Sequence, residues 1–414
     1  MTRPNLLNDR SGAAAPATAL GLVALLGFAG LAVDLGHGYL QRRSSQHAAD
    51  SAAYSAAVAL TAGAADPTAQ AWGVAAEYGL QPAQVTVNLP PVSGAYAGSA
   101  GAIEVLVQRP GRRFLAGVVA GAPQTIRARA VARTGRTGDA CVVALHANAS
   151  ASASETGSAD VRLDGCALFA NSTSQSALEL SGGARLTAKS VNLVGGYSQS
   201  SNSTITTTEG VNTGQAAIGD PYEDVGVPPY ETSCPMNGAK LASGTYGRTD
   251  GRPTVYCNGL TINAGASVTL RPGVHVIDRG ALLVNGNATL RGDGVTIVLT
   301  SSTGADYATV DIRGGAVVNL SAPTAGPTAG LAFMQDRRAP AWGENKLNGG
   351  SSQQIAGALY FPSQTVTFAG GSESGGCTQV VASKVHFLGN ARLALNCQGT
   401  GVRPAGGRRP LLVE

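Results

Sequence analysis

The chain has 414 residues, of which only 13% are charged and 5% aromatic, while 56 are glycine. The net charge of +4 is small for this length and forms no dense Lys/Arg stripe, which excludes the electrostatic footprint of a nucleic-acid binder. So few aromatics argue against a thick globular core and fit a narrow coil filled by Val, Leu, Ile and Ala.

An uncharged run from Ala13 to Val33 lies between Arg10 and Asp34. As a helix rising ~1.5 Å per residue, twenty-one residues cross the ~30 Å of bilayer hydrocarbon. A secretory signal has an apolar core of roughly 7 to 15 residues. A retained transmembrane helix is therefore expected over 13–33, with residues 1–12 cytoplasmic. Cleavage after Ala32, with Gly30 at minus three, is the alternative. Arg3 and Arg10 on one side nearly balance Arg42 and Arg43 on the other, so charge alone does not orient the span.

Residues 34–137 read as a helical extension and a small α/β domain. Helices are expected at Ser44–Gly63 and Pro67–Gly79 and strands at Val85–Leu89 and Ile103–Arg109. A short helix at Arg112–Val119, a strand at Thr125–Arg133 and a linker at Gly135–Gly138 complete the unit. If the anchor runs unbroken into Leu60, one helix of about 48 residues projects some 40 Å beyond the bilayer. Its small residues Ala48, Ala49, Ala52, Ala53, Ala56 and Ala57 admit close approach of another backbone. That approach is either lateral assembly with another helix or packing on the chain's own sheet.

Residues 139–400 read as a mainly β domain, a right-handed parallel β-helix, with an antiparallel sandwich as the rival. The units Leu260–Ile262, Val268–Leu270 and Val274–Val276 repeat as Leu282–Val284, Ala288–Leu290 and Val295–Ile297, and Gly265 and Gly286 mark the corners. The Asn-Gly and Gly-Gly pairs are expected to supply the positive φ of those corners. Residues 197–258 break the pattern and read as a long excursion, functional or mobile. Residues 401–414, with the cluster Arg403 to Arg409, read as a solvated basic tail.

All six cysteines lie in this domain, and in sequence order they form pairs 25, 23 and 20 residues apart, close to one coil. Residues one coil apart stack roughly 4.8 Å apart, within the Cα separation of about 4.4 to 6.8 Å that a disulfide accepts. Bonds joining Cys141 to Cys166, Cys234 to Cys257 and Cys377 to Cys397 are expected, and they place the body in an oxidising compartment outside the cytoplasm. Buried free thiols are the plain alternative. No C-x-x-C pair or histidine cluster marks a metal site, and no phosphate loop marks a nucleotide cofactor.

A β-helix also suits polysaccharide lyases and hydrolases, which need clustered carboxylates. Asp160, Arg162, Asp164, Asp278, Arg279, Asp293, Asp311 and Arg313 are the candidates, although Asp beside Gly is ordinary turn chemistry. His37, His47, His146, His275 and His386 have no catalytic partner at a recognisable spacing. N-x-S/T matches at Asn148, Asn171, Asn202, Asn287 and Asn319 are expected by chance in so Ser/Thr-rich a chain. No catalytic activity, cofactor or metal is expected.

Arg10-Ser11-Gly12, the apolar span, Ala32-Val33-Asp34-Leu35-Gly36, Tyr39 to Arg43 and Gln46 to Ala53 together resemble the N-terminal domain of TadG-like Flp pilus-assembly proteins. Residues 84 to 134 resemble the α/β segment that often follows. Asp220-Pro221-Tyr222 and Leu270 to Asp278 resemble, more loosely, a glycine-rich C-terminal region of some members. The resemblance implies a single-pass bacterial inner-membrane protein with its body in the periplasm and other pilus-assembly proteins or pilins as partners. No von Willebrand D-x-S-x-S metal motif is present, so metal-dependent adhesion does not carry over. Ala17 stands where a pilin processing site needs Glu. The expected function is structural or accessory, with a β-helical polysaccharide enzyme or a secreted β-helical adhesin as alternatives, and with polysaccharide contact open to the solenoid.

Overall fold

The computed structural model describes residues 14–61, 64–111, 114, 124–137, 139–348, 353–369, 372–373 and 376–414. The chain forms two compact units, one of residues up to Gly135 together with Arg408–Glu414, the other Arg136–Gly407.

In the first unit a single helix, α1 (Ala14–Thr61), joins the apolar run to the alanine-rich segment without a break. Helix α2 (Pro67–Glu77) starts at Asp66, whose carboxylate accepts from the Thr68 and Ala69 amides. Strands β1 (Val85–Asn88), β2 (Ala102–Gly111) and β3 (Gln124–Thr137) pair antiparallel in that order. Ala48, Ala49, Ala52, Ala53, Ala56 and Ala57 are all buried, packed in one core with Ile103, Val105, Val107, Ala130 and Ala132. The small face is therefore spent on the chain's own sheet and is closed to lateral assembly. Methyl-sized side chains let α1 lie close on the strands.

Two expectations for this unit are corrected. Gly407–Leu412, part of the expected solvated tail, is a strand on the edge of β3. Beyond it the Val131 amide donates to the Glu414 carbonyl at 2.7 Å, and the Val413 amide donates back at 2.8 Å. An unpaired β3 edge offers a row of backbone groups, and this outweighs the repulsion among arginines that made the segment read as solvated. For the same reason β3 runs through Gly135 to Thr137, where a linker was expected. Gly138, and the expected helix Arg112–Val119 apart from Phe114, lie outside the described residues.

The second unit is a parallel β-solenoid of about ten turns with three sheets. Its corners need left-handed residues, supplied at equivalent positions by Gly265 (φ 72°), Asn287 (φ 59°) and Gly315 (φ 81°). Gly286, expected to hold that conformation, yields it to Asn287, a residue whose short amide tolerates it.

The coils are not stacked in chain order. Strands Ala140–Ala144, Ala167–Ala170, Val191–Leu193 and Val211–Asn212 run in sequence toward one end. The chain then resumes at the opposite end with Met236–Leu241 and builds through Thr254–Ile262, Gly273–Asp278, Val295–Thr300, Leu331–Gln335 and Gln353–Ala369. The last of the series, Thr378–Phe387, pairs with Gln353–Ala369 on one side and with Ala140–Ala144 on the other, Val380 opposite Val142. The first coil thus stacks on the last.

Candidate functional site

In the segment read as an excursion, the flanks 197–212 and 236–258 carry coil strands where a break was expected, whereas the middle, residues 213–235, joins the two ends of the stack. Its start is held by Asn171, whose amide donates to the Ile218 carbonyl at 2.8 Å and accepts from the Ile218 amide at 3.0 Å. Val225, Val227 and Tyr230 continue along the outside of one sheet, in a core with Val143, Val381, Met334, Val298 and Val276. The segment ends at Cys234, bonded to Cys257. It is a packed strap, neither mobile nor detached. Its apolar residues are spaced to meet successive strands rather than one another, so no alternation shows in the sequence.

Asp220-Pro221-Tyr222 is the clamp. The Tyr222 hydroxyl donates to Gln379 Oε1 at 3.0 Å and accepts from the Arg403 amide at 3.0 Å. Asp220 accepts from the Tyr360 hydroxyl at 2.7 Å and pairs with Arg337 at 3.4 Å. The rings of Tyr222 and Tyr360 lie 5.4 Å apart, with the Arg403 and Arg337 guanidinium groups over their faces. Burial pushes the Tyr222 phenol up to about 12, so it remains a neutral donor.

Beneath the end of the strap, one ladder position reads Cys257, Asp278 and Thr300 on successive coils. Buried Asp278 accepts from the Ser302 amide at 2.6 Å and the Ser302 hydroxyl at 2.8 Å, with Arg279 at 3.4 Å. Ligand atoms of Cys234, Cys257 and Asp278 lie within 4.8 Å of one another, but the two sulfurs form a disulfide and so present no thiolate. The other disulfides are Cys141–Cys166 and Cys377–Cys397. Cys141–Cys166 spans neighbouring coils. Cys377–Cys397 instead ties the ends of one coil, where Cys377 and Leu395 make an antiparallel bridge.

The other candidate carboxylates do not converge. Asp160 pairs with Arg162 at 2.8 Å, Asp164 with Arg392 at 2.6 Å and Asp311 with Arg313 at 3.6 Å, and Asp293 accepts from the Ser321 hydroxyl at 3.0 Å. These lie on different sheets and corners. Glu155, which the sequence did not single out, is fully buried with both oxygens unpartnered, and burial, helped by Asp160, pushes its carboxyl up to about 9. His275 is buried and bonded to the Arg271 carbonyl at 2.9 Å, and burial pushes its pKa down.

The first unit carries the other distinctive surface. Leu20, Leu22, Val23, Leu25, Leu26, Phe28, Leu31 and Val33 are all more than half exposed, an apolar sleeve on a helix long and apolar enough to cross a membrane. Where the sleeve ends, the buried Asp34 carboxylate accepts from the Phe114 amide at 2.6 Å, and the His37 and Phe114 rings meet edge to face at 4.9 Å. Further up, Gln46 donates to Asp50 and to the Arg129 carbonyl, both at 2.8 Å. Residues 12–59 match the family model for Flp pilus-assembly TadE/G-like proteins. The chain carries a TadE/G-like domain at its N-terminus. In the TadE/G-like segment Asp34 ties α1 to Phe114 and Gln46 ties it to β3, while Asp50 accepts from Gln46 within the helix. No curated protein and no solved structure matches the chain. The TadE/G-like helix and the disulfides mark a membrane-anchored extracytoplasmic protein.

Proposed function

We infer that this is a single-pass inner-membrane protein whose body stands in the periplasm, where it serves as a structural or accessory part of Flp pilus assembly without catalysis. The observation that carries the reading is the TadE/G-like match on residues 12–59, which falls on the exposed apolar sleeve and its bracing contacts. The three disulfides support a body on the oxidising side, with the N-terminus in the cytoplasm. The dispersal of the candidate carboxylates among arginine and serine partners supports a non-catalytic role.

Deleting the chain should reduce surface piliation, and Asp164→Asn, Asp293→Asn and Asp311→Asn variants should restore it. Asp278 is unsuitable for this test because it is fully buried and its removal would strand Ser302. Wild-type piliation in the deletion strain would refute the reading. Loss of rescue by folded carboxylate variants, with turnover of an acidic polysaccharide, would move it to the enzyme class.

A further inference from the structure

The geometry points to an anionic phospholipid headgroup held between α1 and the β2–β3 hairpin, with the Arg42 and Arg127 guanidinium groups as its phosphate ligands. The inference rests on α1 being the membrane anchor. Three contacts set the height of the hairpin along that helix. Phe114 meets Asp34 and His37, Arg109 donates to the Gln41 carbonyl at 2.9 Å, and the Arg129 carbonyl accepts from Gln46 at 2.8 Å. The hairpin therefore descends beside α1 toward the span, with Phe114 lowest among its described residues.

At that lowest level Phe114 is 57% exposed, and Tyr39 and Leu40 on α1 are 66% and 62% exposed. Aromatic side chains placed just beyond an apolar span sit at the interface between hydrocarbon and headgroups. Arg42 is the next step up the helix, only about 3 Å of rise past Leu40. Helical side chains lean toward the helix N-terminus, which here is toward the bilayer, so the Arg42 guanidinium reaches back to phosphate level.

Arg42, Gln46, Leu106, Gln108 and Arg127 line a groove of about 660 Å³, and Gln108 lies directly across the ladder from Arg127. Neighbouring arginines are already engaged, Arg109 by the Gln41 carbonyl and Arg129 by Glu104 and Glu414. Among the described residues Arg42 and Arg127 have no acceptor. Two free guanidinium groups beside an amide match the oxygens of a phosphodiester, and planar forks bind such groups through paired hydrogen bonds. Leu106 and Val107 in the lining favour a lipid over a free anion.

The test uses the full chain in nanodiscs of equal parts phosphatidylglycerol and phosphatidylcholine, with the lipids retained on detergent extraction identified by native mass spectrometry. Wild type should retain phosphatidylglycerol preferentially, at about fivefold for each arginine. Arg42→Gln with Arg127→Gln should abolish the preference, whereas Arg185→Gln with Arg291→Gln on the solenoid should leave it intact. Equal retention of both lipids by wild type, or a preference that survives the first double variant, would overturn the inference. Complete displacement of the lipid by excess inorganic phosphate would also overturn it, leaving a site for small anions. Failure of the chain to enter nanodiscs at all is a separate result that removes the anchor reading and this inference together.

Discussion

The solenoid sheet that carries Ser267–Leu270 and Thr289–Gly292 faces water on one side and alternates exposed with buried residues, whereas Val295–Thr300 and Leu331–Gln335 are buried residue after residue. Both are parallel sheets of the same coils, so strand geometry does not explain the difference. The strap does: it covers the outer face of the second sheet and turns a half-buried surface into an interior one. Burial on both faces calls for mostly apolar runs, and these strands carry four apolar residues of six and four of five, with Thr296, Thr300 and Gln335 buried among them.

The sharpest way to break the comparison is to remove the clamp. Tyr222→Ala deletes a fully buried ring and should cost about 3–5 kcal/mol in denaturant unfolding of the detergent-solubilised chain. Tyr222→Phe leaves Gln379 and the Arg403 amide without their partner and should cost about 1–2 kcal/mol. If the strap is a mere passenger, both variants will unfold like wild type. Opening the Cys234–Cys257 bond by a double serine substitution should cost about 3 kcal/mol through loop closure. Hydrogen exchange should then rise in 225–235 before it rises on the uncovered sheet.

The first unit offers a polar counterpart to this apolar cover. Burial works against the Glu104 charge, yet bonds from Ser93, Asn88, Arg129 and the Val92 amide hold its carboxyl down at about 2. Because the folded value is depressed from 4.5, the stabilisation is complete above pH 4.5 and lost as the pH falls toward 2. Wild type should lose about 2 kcal/mol across that window, and Glu104→Gln should flatten the profile. A slope unchanged in the variant would assign the acid sensitivity elsewhere. The smallest effect is expected on the uncovered sheet, where Arg392→Gln opens an exposed pair with Asp164 and should change stability by under about 0.5 kcal/mol.

Much of this was legible in the sequence. The apolar span, the Ala-rich helix and the coil period all follow from local patterns, and the cysteine spacing pointed to the pairs that the structure joins. What stayed hidden depends on partners distant in the chain. Nothing near Tyr222 announces Gln379, and nothing near Val142 announces Val380. The Arg408–Arg409 pair reads as solvated because charge is a local property, while the β3 edge that receives the strand is not. The groove beside α1 was missed for the same reason, since Arg42 and Arg127 are separated by the whole of the α/β unit. A hint did exist: an unbroken apolar run such as Leu331–Met334 implies that something must cover its second face.

The order of the coils carries a consequence for biogenesis. A body threaded across the membrane behind a retained N-terminal anchor delivers Ala140–Ala144 early, yet the strand that flanks it, Thr378–Phe387, is nearly the last to emerge. Until then one edge of that early strand stands open, and Tyr222 waits for Gln379. Contacts of such sequence separation close slowly, and open edges invite pairing with other chains. Truncation before residue 378 would therefore leave two stacks with an unsealed joint.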